Sequence, residues 1–243
     1  MFRRLLVVVA VVVVSLGLTV SSAQSKPPKG GPAQTAGADC NLPESDADAL
    51  QILGAFYPNK YVWDDTHLTV AVQAAPNVSA DHIEAVRGAI ETWDAVLRQC
   101  FDDQITLTDV TGNRRASADI VLHYVPHAGG VVFAGYAICG GNGKCGNIIV
   151  SSEFATEEGY TPEYLAFVTL HELGHALGLG HATNIEESTD LMGYAWIGDQ
   201  DGPDPLFSQC DLDALAYLFG PLLSGAGPIG PGPSGLDPTF DCA

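Results

Sequence analysis

Three histidines within one short segment constrain this chain more than any other feature. His171, His175 and His181 lie in the sequence HELGHALGLGH. His171 and His175 are one helical turn apart, so a helix here would place both imidazoles on the same face. Gly178 can adopt the positive φ that ends a helix, which would turn the chain back towards His181. The spacing therefore predicts a helix, a tight turn and three imidazoles that meet at one point.

The same segment predicts a metal site. Three neutral imidazoles can bind Zn2+ at about 2.0–2.1 Å and leave the fourth tetrahedral position to water, as in catalytic zinc sites. Glu172 lies about 100° round the helix from His171. It would stand beside the metal, where a carboxylate can act as general base on the water. The alternative, two core histidines and a loop histidine, is disfavoured because agreement at every fixed position rarely arises by chance.

The periodicity of apolar residues predicts an α+β fold in which one sheet of about five strands is backed by helices. Alternating, β-branched segments predict strands, and a stripe at helical spacing after Ser79 predicts the first helix. The predicted strands are residues 67–73, 105–110, 118–125, 131–137 and 146–151, and the predicted helices are residues 79–98, 162–177 and 207–219.

The ends of the chain differ in composition from its middle. Arg3 and Arg4 precede an apolar run and the small residues Ser21, Ser22 and Ala23, so residues 1–23 are predicted to be a signal peptide. The run is short for a membrane anchor, which is the alternative. We therefore expect a secreted, extracellular protein without stable membrane insertion after cleavage.

Between the ends lies one predicted domain, residues 40–223. Residues 24–39 are rich in Pro, Gly, Lys and Ala and are predicted to be a flexible leader, and residues 224–243 form a Pro/Gly-rich tail. The chain is expected to be a monomer. Its 10 basic and 29 acidic residues give a net charge of −19, which repels phosphate backbones and argues against nucleic-acid binding.

Six cysteines in an exported protein predict three disulfides. Cys139 and Cys145 bracket a short glycine-rich loop, so we predict a local bridge between them. A zinc site built from cysteines is disfavoured, because the chain has no Cys-x-x-Cys pair.

The histidine pattern resembles that of the metzincin clan of zinc endopeptidases. The clan also has a Met-turn, whose methionine sits beneath the metal without binding it. Here the segment DLMGY offers Met192, the only methionine besides Met1. The histidine segment and the closing segment at 206–220 are most similar to the matrixins within the clan.

Several residues depart from the matrixin pattern. Ala182 follows the third histidine where matrixins commonly have Ser. Cys210 replaces the first of two adjacent Asp, whereas Asp211 matches the second, which in the family supports the Met-turn. No Arg-Cys-Gly latency motif is present, and Cys40 is better explained by a disulfide. The matrixin structural zinc needs a His-x-Asp start, which His123 lacks.

The resemblance implies a metzincin-like α+β fold, with a mixed, twisted sheet, an active-site helix, a Met-turn and a C-terminal helix. It also implies a zinc endopeptidase whose protein or peptide substrate lies extended along the edge strand at 131–137. Tyr194, two residues after Met192, is similar to a tyrosine of astacins and serralysins that helps to stabilise the tetrahedral intermediate. Packing against the active-site helix is the alternative role for Tyr194.

The pairing of the four remaining cysteines, which are far apart in the sequence, is also predicted from a resemblance. A bridge in astacins is similar to Cys100–Cys242, which would leave Cys40 to pair with Cys210. The alternative connectivity is Cys100–Cys210 with Cys40–Cys242.

Three further hypotheses remain open. Asp199, Asp201, Gly202 and Asp204 cluster as in a Ca2+ loop, although an acidic surface turn explains them as well. A secreted, non-catalytic zinc-binding module is the alternative function, and a zinc amidase acting on cell-wall peptides is a third. Glu172 argues against the module, because a structural zinc needs no general base.

Overall fold

Two sheets and three helices make up the part of the chain that the computed structural model describes, which is residues 51–53, 63–76, 78–113, 117–125, 135–139, 144–151, 161–182, 191–192, 207–227 and 239–241. In chain order the elements are β1 (Gln51–Leu53), β2 (His67–Ala74), α1 (Ala80–Cys100), β3 (Thr106–Asp109), β4 (Ile120–Val125), β5 (Gly135–Ile138), β6 (Asn147–Ser151), α2 (Pro162–Leu177), β7 (His181–Ala182), α3 (Gln209–Leu223) and β8 (Thr239–Asp241).

The larger sheet has five strands in the order β3-β2-β4-β6-β5. The first four strands pair in parallel, and β5 pairs antiparallel with β6 at the edge of the sheet. This arrangement confirms the predicted α+β class and the mixed sheet of about five strands. The strand predicted at 131–137 is described only from Gly135 onwards, and it continues one residue further, to Ile138.

The core lies between this sheet and the helices. Every second residue of β4 is buried, namely Ile120, Leu122 and Tyr124, as the alternation of a half-buried strand predicts. α1 begins at the predicted cap, where Oγ of Ser79 accepts a hydrogen bond from the N–H of His82 at 3.2 Å. α3 extends four residues beyond the predicted end at Phe219, to Leu223.

Two tryptophan side chains fix the position of α2. Nε1 of Trp93, from α1, donates to the carbonyl oxygen of Leu170 at 2.8 Å. Nε1 of Trp63 donates to the carbonyl oxygen of Ala176 at 2.7 Å. Both rings are buried, so they contribute apolar contact area as well as a satisfied polar group.

The smaller sheet joins distant parts of the chain in the order β7-β1-β8. Leu53 of β1 pairs with His181 on one side and with Thr239 on the other. β1 and β8 were not predicted, because strands of three residues are too short to show a period. β8 lies within the segment predicted as a Pro/Gly-rich tail.

The described cysteines are all oxidised. The predicted bridge between Cys139 and Cys145 is present, and Cys100 is also disulfide-bonded. The other predicted bridges lie outside the described side chains, as do the predicted signal peptide and leader. None of the described helices is long and apolar enough to cross a membrane.

Replacing Trp93 by Phe tests its contribution to the fold. The Trp93→Phe variant loses one buried hydrogen bond and part of a buried ring, so its free energy of unfolding should fall by about 1–3 kcal/mol. Denaturant unfolding measures the change. Thr92→Ala, at an exposed neighbouring position, is the control and should change stability little. An unfolding free energy like that of the unmodified protein would contradict this account of Trp93.

Candidate active site

The site is built on α2 and on the turn that follows it. Thr161 caps the helix by accepting a hydrogen bond from Tyr164, and Pro162 occupies its first turn. The helix ends at Gly178, whose φ of 108° lies in the left-handed region. A side chain would be strained there, so the structure confirms why glycine stands at this position.

The turn at Gly178 brings the three predicted histidines together. Nε2 of His181 lies 3.1 Å from Nε2 of His171 and 3.1 Å from Nε2 of His175. Within the described residues this is the one group of three or more His, Cys, Asp or Glu side chains whose ligand atoms lie close enough to hold a metal ion. His181 lies on the two-residue strand β7. The motif spacing alone predicted a turn that leads to His181, but not this strand.

Backbone carbonyl groups set the orientation of two of the imidazoles. Nδ1 of His171 donates to the carbonyl oxygen of Leu191 at 2.7 Å, and Nδ1 of His175 donates to that of Leu179 at 2.8 Å. A carbonyl oxygen only accepts, so Nδ1 carries the hydrogen in both rings and Nε2 presents its lone pair. The sequence motif gave no sign of these two carbonyl groups.

The resulting arrangement fits zinc. A hydrogen on Nε2 of His181 could serve only one of the two neighbouring Nε2 lone pairs, whereas a cation among the three atoms could bind all of them. In a tetrahedral zinc site with bonds of about 2.0–2.1 Å, ligand atoms are about 3.3 Å apart. The spacing, the ligand type and the carbonyl partners of the Nδ1 atoms together match a three-histidine zinc site.

Burial keeps these imidazoles uncharged. It lowers the pKa of His171, although the hydrogen bond to Leu191 opposes the shift. The pKa of His175 falls well below its usual value because of burial and the neighbouring imidazoles. Burial, aided by repulsion from His171, lowers the pKa of His181 to about 4. All three rings are therefore neutral near pH 7, which is the form that binds a metal.

Glu172 lies beside the histidine cluster and is only 6% exposed. Burial raises the pKa of its carboxyl group to about 8, against the effect of a hydrogen bond donated by the backbone N–H of Ala137. Oε2 has no hydrogen-bond partner among the described residues. A nearby divalent cation would favour the ionised form of this carboxyl group.

Met192 lies beneath the helix, as the resemblance implied. Its side chain is fully buried, and its sulfur is so close to Gly174 that a Cβ there would overlap it. The carbonyl group that orients His171 belongs to the preceding residue, Leu191. The turn at 191–192 therefore both fills the space under α2 and fixes one imidazole.

Asp211 has a structural role that the family pattern did not predict. It is buried at the start of α3, where its carboxylate accepts from the N–H of Ser208 and its own N–H donates to Oγ of Ser208, each at 3.1 Å. This reciprocal pair is a capping box. His123 lies on β4, within the strand predicted at 118–125, and its Nε2 contacts Oδ1 of Asn147.

Some predicted residues lie outside the described residues. These are Tyr194 and the acidic cluster Asp199, Asp201, Gly202 and Asp204. Their proposed roles remain predictions.

The active-site helix, the glycine turn, the imidazole cluster and the buried methionine together define a metzincin-type zinc site. Comparison with known families gives the same result, since residues 62–220 match the matrixin family. The chain therefore belongs to the matrixins, which are zinc metalloendopeptidases.

The chain is similar to several mammalian collagenases and to a stromelysin. The chain is 28% identical to interstitial collagenase of Oryctolagus cuniculus over 72% of this chain and 36% of the relative. It is 30% identical to interstitial collagenase B of Mus musculus over 74% and 38%, and 26% identical to stromelysin-1 of Rattus norvegicus over 68% and 34%. The chain thus spans little more than a third of the length of these relatives.

Removing the third imidazole tests the geometry of the cluster. His181→Ala leaves two imidazoles, so zinc should dissociate far more readily during dialysis against a mild chelator, and metal analysis measures the loss. His67→Ala is the control, because His67 is exposed and contacts Thr106 instead. Equal zinc retention by both variants would place the third ligand elsewhere, with Asp190 the first residue to test.

Proposed function

We propose that this chain is a secreted zinc-dependent endopeptidase in which His171, His175 and His181 bind the metal. The observation that carries the proposal is the convergence of three neutral Nε2 atoms beside a buried glutamate. Burying a carboxyl group costs free energy unless it is hydrogen-bonded or paired, so the burial of Glu172 with Oε2 unpartnered among the described residues supports a functional role. Secretion rests on the predicted signal peptide at residues 1–23, and the monomeric state remains an expectation.

The reaction uses Glu172 as its proton carrier. Zinc bound by the three imidazoles would lower the pKa of a water molecule and polarise the substrate carbonyl group. Glu172 accepts a proton as the water oxygen attacks the peptide carbonyl carbon, and it then donates this proton to the leaving amine as the C–N bond breaks. Oε2, which has no partner among the described residues, is the oxygen available for this transfer.

The edge strand β5 is the proposed binding site for the substrate backbone. Among the described strands β5 pairs with β6 alone, and an edge strand can pair with an extended peptide. The same strand contacts Glu172 through Ala137, so a peptide paired with β5 would pass close to the general base. Extended binding favours flexible segments of protein substrates and therefore internal cleavage.

Removing only the proton carrier tests the mechanism. Glu172→Gln should retain zinc and lose most of its peptidase activity, on the order of 100-fold or more, because no carboxylate remains to take the proton. Cleavage of a fluorogenic peptide, with zinc analysis of the same sample, measures both quantities.

The matched control is Glu163→Gln, an exposed position in the first turn of the same helix, which should keep full activity. A zinc-loaded Glu172→Gln variant with normal activity would rule out Glu172 as the base. Absence of chelator-sensitive cleavage by the unmodified chain would favour the non-catalytic zinc-binding module.

Tyr194 is proposed to donate a hydrogen bond to the oxyanion that forms during attack. Tyr194→Phe should lower kcat by at least about 10-fold with little change in KM, since the phenol would act mainly in the transition state. Steady-state kinetics measure the effect. Tyr217→Phe, an exposed tyrosine on α3, is the control. An unchanged kcat would leave Tyr194 with a packing role.

A further inference from the structure

The edge strand β5 approaches the active-site helix more closely than a residue with a side chain would allow. A Cβ built on Gly135 would lie 2.7 Å from Cγ of Glu172, 3.0 Å from its Oε1 and 2.8 Å from Cγ1 of Val168. Real Cβ atoms essentially never come within 3.0 Å of another heavy atom. Any other residue at position 135 would therefore displace the side chains of Glu172 and Val168 or separate β5 from α2.

A second residue of the strand contacts the same glutamate. Side chains alternate along a strand, so Ala137 faces the same side of β5 as Gly135. The backbone N–H of Ala137 donates a hydrogen bond to the Glu172 carboxylate. Gly135 thus lies against the Cγ of Glu172 while Ala137 binds its carboxylate, and the two contacts together limit where the carboxylate can be.

The backbone of β5 is itself held in place. Gly135 pairs with Val150, and Ala137 pairs with Ile148, in the antiparallel ladder with β6. The disulfide between Cys139 and Cys145 closes the loop directly after the strand. A displacement of β5 by a side chain at 135 would have to strain these connections, so the Glu172 side chain is the easier group to move.

Glycine within a strand normally weakens it, because glycine gains no packing and loses more backbone entropy than other residues. Such a residue commonly marks a close approach of another group to the backbone. Here the approaching groups are the side chains of Glu172 and Val168. The glycine is therefore explained by the close approach of α2 and not by the strand.

We propose that Gly135 is a positioning residue for Glu172, which it holds against the edge strand at the height where the carboxylate faces the attacking water. This inference rests on the proposed function, since that function gives Glu172 its role as general base. Misplacement of a catalytic group by about 1 Å can cost on the order of 100-fold in rate, so the absence of one methyl group at position 135 would matter for catalysis.

The contact is tested first without activity, by a double-mutant cycle in urea unfolding. Gly135→Ala should lower the urea midpoint of the chain. In a Glu172→Ala background, where Cγ and the carboxylate are gone and only the overlap with Cγ1 of Val168 remains, the same substitution should lower the midpoint by a smaller amount.

Gly146→Ala is the matched control for this cycle. Its Cβ would lie 3.0 Å from the backbone oxygen of Asp119 and contacts no part of Glu172, so its effect should be equal in both backgrounds. Equal effects of Gly135→Ala in both backgrounds would overturn the inference. If Gly135→Ala alone does not fold, the triple variant with Glu172→Ala and Val168→Ala, which removes both overlaps, should fold, and its failure would also overturn the inference.

Kinetics then test the positioning role. Gly135→Ala should keep the zinc content of the unmodified protein and lower kcat by about 10- to 100-fold, with KM changed less than about threefold. In a Glu172→Gln background, Gly135→Ala should cause no further loss of kcat. An unchanged kcat, or losses that multiply in the double variant, would refute the role.

The two proposals fail separately. Absence of chelator-sensitive cleavage by the unmodified chain would refute the peptidase function, while the urea cycle would still report on the contact between Gly135 and Glu172. Normal cleavage combined with equal urea effects would refute only the positioning role of Gly135.

Discussion

The hydrogen bonds from Nδ1 of His171 and His175 to backbone carbonyl groups are the interactions on which the site depends. They fix the tautomer, so that both Nε2 lone pairs face one point, and they fix the ring orientation against rotation about the side-chain bonds. One carbonyl comes from the glycine turn after α2, and the other from the turn at Met192. Both turns therefore orient the imidazoles of the candidate metal site.

Small residues let the surroundings of α2 come close to it. On one side of the helix, the sulfur of Met192 packs against Gly174. On another side, Gly135 of β5 packs against the side chain of Glu172. Trp63 and Trp93 meanwhile bind carbonyl oxygens of the same helix. The helix is consequently enclosed by the turn, the edge strand and the core. Such an enclosed helix can hold catalytic side chains more rigidly than an exposed one.

The sequence predicted those features that short segments encode. The three histidines lie within one motif. Gly178 ends the helix, as expected of a residue that can adopt positive φ, and the Cys139–Cys145 bridge closes a short loop. It could not predict contacts made by tertiary packing. Nothing in the local pattern around Gly135 indicates Glu172 as its neighbour. The strands β1 and β8 exist only through pairing between distant segments, which leaves no period to detect.

The three imidazoles differ in how they are held, and this difference connects the metal site to the whole chain. His171 and His175 are carried by a single helix, so their relative position is local. His181 lies on β7, whose partner β1 is paired in turn with β8 near the other end of the sequence. The third histidine is thus placed by long-range backbone pairing. The three-histidine site is complete only when these distant strands have paired. Zinc binding at this site would therefore stabilise the folded chain, and folding would in turn favour zinc binding.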